Sequence, residues 1–163
     1  MSERTLRAEL GHLTEVERPE GLEIASITRY DLPELAILHV LAYGLPYTAE
    51  GLLESSDEMR MLFDGAFGKP HDHSFIGAWL DGVLVGAILC VMESPWDDGV
   101  DGPFVIDLMV DPEHRRKGIA TALVSELAHR ADAWGWEQLS LRIDSRHDSA
   151  AKLYEVLGFN DIQ

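Results

Sequence analysis

The stretch FVIDLMVDPEHRRKGIATALVSELAHRADAW, Phe104 to Trp134, decides the reading of this chain. It opens on an apolar run, Phe104 to Val110, broken only by Asp107. Pro112 ends any strand there, because proline has no N–H to give to a ladder. Arg115, Arg116, Lys117, Gly118, Ile119 and Ala120 follow. Ala120, Leu123, Val124, Leu127, Ala131 and Trp134 then recur on one face at helical spacing. The pattern predicts a strand, a basic turn and a helix.

The charge of that turn is its informative property. A helix N-terminus carries partial positive charge, and its first amides lack intrahelical partners. Acidic residues are favoured there. Three cations stand there instead, in a chain of formal net charge −16. An anion held between the cations and the free amides resolves the conflict. Gly118 and Ala120 let such a ligand approach the backbone closely. A solvated basic cluster is the plain alternative; the strand before, the small residues within and the helix after favour the anion site.

Working outward, 163 residues suit a single domain with a substantial core. A hydrophobic content of 46% is that of an ordinary soluble protein. No apolar run approaches the ~20 residues of a membrane span. The first twenty residues lack the apolar centre of a secretory signal. A cytoplasmic location is expected. Twenty-nine acidic residues against thirteen basic argue against nucleic-acid binding and mildly favour a cationic partner. The lone cysteine, Cys90, excludes an intramolecular disulfide and a cysteine-based metal cluster. It reads as a small buried hydrophobe.

Residues 1–21 are charged and weakly patterned. Leu6, Leu10 and Leu13 suggest a short helix in an N-terminal extension. From residue 22 to 163 a single domain is expected. Leu22 to Thr28 alternates as a strand does. Asp31 and Pro33 introduce a helix that ends near Gly44, and a second helical region runs from Ala49 to about Phe67. His71 and His73 form an H-x-H pair, but no third metal ligand is evident, and a surface loop is the better reading. Asp81-Gly82 between two apolar runs, Ser74 to Leu80 and Val83 to Met92, predicts a hairpin. Glu93 to Pro103 reads as an acidic loop. Gln138 to Ile143 alternates, a helix from Asp148 or Ser149 ends at Gly158, and Phe159 to Ile162 begins a last strand. Together these predict an α/β fold with a mixed sheet and helices on both faces.

With these elements in register, the chain resembles the GNAT superfamily of acyl-CoA-dependent N-acyltransferases over about residues 22 to 162. The resemblance is most specific in VDPEHRRKGIATALV and in LYEVLGF. Arg115-Arg116-Lys117-Gly118-Ile119-Ala120 fits that family's Q/R-x-x-G-x-G/A pattern in full. A P-loop is excluded because Lys117 precedes Gly118 rather than Ser or Thr, and a dinucleotide fingerprint needs three glycines.

The resemblance implies a mostly antiparallel mixed sheet, splayed at the cofactor strand, and acetyl-CoA as acyl donor with no metal. Arg115, Arg116, Lys117, Gly118, Ile119, Ala120 and Thr121 would hold the pyrophosphate. Leu108, Met109 and Val110 would pair with the pantetheine arm, and amides near Met109 and Val110 would polarise the thioester carbonyl. Tyr154 matches a tyrosine that protonates the departing thiolate. His147 stands where the family usually has a cofactor-binding asparagine, which puts that contact in doubt.

Asp107 is the leading base, because a carboxylate inside an apolar strand needs a reason; Glu93 is a weaker candidate. Tyr47, Glu93 and Trp96 are expected to contact the acceptor, in regions whose acids and aromatics suit a cationic amine. The expected function is acetyl transfer to a primary amine, a small cationic molecule. The alternatives are acetylation of a protein N-terminus or lysine, and a non-catalytic acyl-CoA-binding regulatory module. Because the chain stops at Gln163, the acceptor site is expected to be open or completed by a second subunit. A homodimer is therefore one arrangement the resemblance allows.

Overall fold

β4 (Val83–Glu93) lies at the centre of the sheet, and every position from Leu84 to Val91 is buried. A strand covered on both faces must be apolar throughout rather than alternating, and this one is. The structure, a computed structural model, describes residues 3–13, 17–95, 101–144 and 148–162. Its other strands are β1 (Glu3–Glu9), β2 (Glu23–Ser26), β3 (Pro70–Leu80), β5 (Asp101–Val110), β6 (Gln138–Asp144) and β7 (Asn160–Asp161). The helices are α1 (Leu32–Tyr43), α2 (Ala49–Phe63), α3 (Ile119–Ala133) and α4 (Asp148–Leu157).

The sheet order is β2-β3-β4-β5-β6-β1-β7. Every neighbouring pair is antiparallel except β5 and β6. Those two meet in parallel only at Phe104↔Ser140 and Val105↔Leu141. β5 then continues from Ile106 to Val110 with no β6 partner among the described residues. The expected splay is therefore present.

Helices cover both faces. One core joins Ile119, Leu123, Val124 and Leu127 of α3 to Val85, Ile88, Leu139 and Leu141 of the sheet. The other joins Leu35 and Leu38 of α1 and Met59 and Leu62 of α2 to Phe75, Leu89, Val91 and Phe104. Asp81 and Gly82 both take positive φ, 51° and 80°, as the tight turn of the β3–β4 hairpin requires. In this hairpin Ala78 faces Gly86 and Trp79 faces Leu84, so Val85 is an extra residue in β4. Such a bulge re-aims the side chains beyond it.

Three readings need correction. Leu6, Leu10 and Leu13 do not share a short helix: Glu3–Glu9 is a strand between β6 and β7, followed by a 3-10 turn at Leu10–His12. Leu6 and Ala8, each 2% exposed, point into the α3-side core while Arg4 and Arg7 reach Asp161 and Ser140. His71 and His73 are not in a surface loop but in β3, at a register break between Pro70 and Phe75. The His71 ring stacks on Trp134 at 4.0 Å, and His73 Nδ1 lies 3.1 Å from Ser26 Oγ. β5 begins at Asp101, so Gly102 and Pro103 belong to the strand rather than to the loop.

Candidate active site

The basic turn is shaped by two left-handed residues, Arg116 at φ 63° and Gly118 at φ 82°. Such backbone turns bring successive N–H groups onto one concave side. Gly118 is the N-cap of α3, with no side-chain cap and no acidic residue in the first turn. The first helical bond runs from Ala122 N to Gly118 O, 3.0 Å. The amides of Ile119, Ala120 and Thr121 precede it, so the helix itself offers them no acceptor. Arg116 and Lys117 are exposed beside them. Free amides beside exposed cations are a combination that can hold an anion.

Gly86 sets the height of that end. A Cβ on Gly86 would lie 2.8 Å from Ile119 Cγ2, 3.2 Å from Leu123 Cδ1 and 3.4 Å from Met109 O. The absence of a side chain lets the first turn of α3 sit directly on β4, beside the end of β5. Asp111 N donates to Val85 O at 2.8 Å and fixes the chain just past that end.

Arg115 also has a partner within the chain. Its Nη2 donates to Ala42 O at 2.8 Å, in the last turn of α1. A cation there complements the negative end of that helix and satisfies an orphan carbonyl.

Beyond the point where β5 and β6 part, Leu108 and Val110 are half-buried on the α3 side, and Met109 is buried on the α1–α2 side. Asp107 is half-buried between them and the paired region. Tyr43 Oη donates to its Oδ1. Burial pushes the Asp107 carboxyl up to about 6; the bonds from Tyr43 and the Leu108 amide pull it down, and the charge of Glu58 pushes it further up. A carboxylate of that basicity is suited to take a proton near neutral pH.

Tyr154 of α4 is 6% exposed and packs edge-on against Phe159 at 5.5 Å. Burial, then the charge of Asp107, raises its hydroxyl well above the ordinary tyrosine value. It remains protonated and can donate.

Several polar residues had not been singled out. His39 is 8% exposed; its Nδ1 lies 2.9 Å from Ser55 Oγ and its Nε2 3.0 Å from Glu58 Oε2. The Tyr43 ring meets the His39 ring edge-on at 5.1 Å. The one signal in the sequence was the spacing of His39 and Tyr43, four apart on a helix that is apolar after Glu34.

The remaining candidates are not gathered here. Tyr47 is 60% exposed in the connection after α1. Glu93 is exposed at the end of β4, four residues from Leu89, the partner of Asp107. That is about 13 Å along the strand. Trp96 and His147 lie outside the described residues. Cys90 is fully buried, and burial pushes its thiol up to about 12, which removes it as a nucleophile. Among the described residues no three His, Cys, Asp or Glu side chains are grouped to hold a metal. No described helix is long and apolar enough to cross a membrane.

The chain is similar to the mycothiol acetyltransferase of Thermobispora bispora, 42% identical over 65 residues, covering 38% of this chain and 22% of that one. It is 32% identical over 62 residues to the [ribosomal protein bS18]-alanine N-acetyltransferase of Escherichia coli K12, covering 38% of this chain and 42% of that one. The match thus spans less than half the length of either relative. The solved aminoglycoside N-acetyltransferase AAC(6')-Iy in complex with CoA has the same fold, with TM-score 0.65 and 17% identity over 91% of this chain and 94% of that one. Residues 38–159, from α1 to the end of α4, match the Acetyltransferase (GNAT) family. With the splayed β5–β6 pair and the uncapped start of α3 inside that span, the chain belongs to the GNAT acetyltransferase family.

Proposed function

We propose that the protein transfers the acetyl group of acetyl-CoA to a primary amine, and that the acceptor is a small cationic molecule. One arrangement carries the reading: Asp107, bound by Tyr43, lies just past the point where β5 leaves β6, and its charge reaches the protonated phenol of Tyr154.

Acetyl-CoA supplies an activated acyl thioester. The amides at the start of α3, with Arg116 and Lys117, suit its pyrophosphate, and the free β5 edge at Leu108, Met109 and Val110 suits its amide-bearing arm. Asp107 accepts one proton from the ammonium and passes it to water, so that a neutral nitrogen forms the new N–C bond. Tyr154 donates its proton to sulfur as the C–S bond breaks. The second proton leaves the nitrogen, now bonded to the acetyl carbon, and through water restores the phenol of Tyr154.

A cationic acceptor is supported by α2, where Glu50, Glu54, Asp57 and Glu58 are all exposed. Tyr47 stands exposed between α1 and α2, where an aromatic face can meet a cation. A second reading, acetylation of a protein N-terminus, is supported by the similarity to a ribosomal-protein acetyltransferase. A soluble monomer or homodimer working in the cytoplasm accords with both.

The test is a panel of small amines, lysine peptides and free N-terminal peptides, followed by release of CoA thiol. Turnover of small amines, falling about a hundredfold in Tyr154→Phe, is expected. Turnover of peptides alone selects the second reading. CoA binding without turnover of any amine rejects both and leaves a binding module.

A further inference from the structure

Tyr43 is the last residue of α1, a place where a helix ordinarily frays. Its side chain nevertheless reaches β5, 64 residues away in sequence. Something must hold it. On one side stands His39, whose two ring nitrogens meet Ser55 Oγ and Glu58 Oε2, both from α2. Burial lowers the pKa of His39, so the ring is neutral. A neutral ring has one donor and one acceptor. The carboxylate of Glu58 can only accept, so Nε2 carries the hydrogen and Ser55 donates to Nδ1. That tautomer fixes the ring plane, and the Tyr43 ring stands edge-on to it at 5.1 Å and 64°. On the other side, Arg115 grips the carbonyl of the preceding residue, Ala42.

We infer that Tyr43 is the positioning residue of Asp107, clamped by His39, Ser55 and Glu58 from one side and by Arg115 from the other. This rests on the reading of Asp107 as the acceptor's base. A carboxylate in a half-buried site must be both oriented and stabilised. Tyr43 Oη donates to Oδ1 and so fixes how the carboxylate faces the incoming amine. Glu58 acts in the opposite sense. Its carboxylate, held by a neutral histidine, opposes ionisation of Asp107. The groups facing Asp107 are thus Tyr43, with His39 beside it, from α1, Glu58 from α2, Tyr154 from α4 and the Leu108 amide of its own strand. Its β4 partner, Leu89, is apolar.

Two substitutions with opposite signs test this. Tyr43→Phe keeps the ring against His39 and removes only the hydroxyl. The acid limb of kcat/KM for the amine should move up by about one pH unit and kcat should fall about tenfold or more. KM for acetyl-CoA should stay unchanged. Glu58→Gln should move the same limb down. The Asp107 carboxyl is titrated in parallel by 13C NMR, without substrate, in the parent and both variants, each checked for folding by its melting curve. Opposite displacements of the Asp107 midpoint support the inference. An unchanged or lowered midpoint in Tyr43→Phe overturns it, as does a shift of the same sign in both. If the parent acetylates no amine, the proposed function fails, and the NMR titration still decides the role of Tyr43.

Discussion

The two sides of β5 are built in different ways. The proposed cofactor side is made of backbone: a strand edge without a β6 partner among the described residues, two left-handed residues and the first amides of a helix. All of it comes from Leu108 to Thr121. The proposed acceptor side is made of side chains from α1, α2, β5 and α4. A backbone site tolerates changes of side chain and fails when the chain cannot take the required path. A site made of side chains fails when one functional group is lost, even if the fold is intact. Backbone-distorting substitutions should therefore act on cofactor affinity, and side-chain truncations on the amine reaction.

Asp107→Asn should lower kcat/KM for the amine by about 10²- to 10⁴-fold while acetyl-CoA affinity is kept. The same substitution should stabilise the fold at neutral pH. The Asp107 carboxyl titrates near 6, above its ordinary 3.8, so its ionised form is disfavoured in the folded chain. Its contribution is most favourable below the ordinary value and is lost as pH rises through about 6. The asparagine variant should therefore be more stable than the parent above pH 7, by about 1–2 kcal/mol after allowance for solvent screening. The advantage should vanish on acidification towards pH 4, which denaturant titrations at several pH values would reveal. A constant advantage at every pH would contradict this.

Gly118→Val addresses the other side. A β-branched residue at φ 82° costs about 1–2 kcal/mol and distorts the start of α3. Acetyl-CoA affinity should fall about tenfold or more, read by calorimetry, and the pH profile of the amine reaction should stay in place. Gly86→Ala should cost about 1–3 kcal/mol by overpacking, because the new methyl meets Ile119 at 2.8 Å. Its companion effect is a weaker loss of acetyl-CoA affinity as α3 is lifted from β4. Arg115→Ala should have the smallest effect, and on the unexpected side. It releases Ala42, so KM for the amine should change by about two- to fivefold more than KM for acetyl-CoA. Equal changes in both would return Arg115 to the pyrophosphate.

The same division explains what was legible in the sequence. The cofactor side is local, and its strand, left-handed turn and helix follow one another without interruption. Asp81-Gly82 declared its hairpin for the same reason. β1 was hidden because Leu6, Leu10 and Leu13 imitate helical spacing, whereas the buried set is Leu6, Ala8 and Leu10. Alanine contributes too little hydrophobicity to reveal an alternating pattern on its own. The H-x-H pair looked like a loop because nothing nearby suggests Trp134, which covers His71. Asp107 was recognisable as a misplaced charge, but its partner was not. Tyr43 lies 64 residues away, and Ser55 is 16 from His39. Only the folded chain brings them within reach.

The position of β1 between β6 and β7 bears on how the molecule assembles. β1 pairs with strands made of residues 138–144 and 160–161, more than a hundred residues away in sequence. The residues between them must be in place before that part of the sheet can close. The loop-closure entropy of joining such distant segments has to be met before their contacts repay it. Refolding is therefore expected to end with a slow step in which β1 docks, after the β3–β4–β5 meander and its helices have formed.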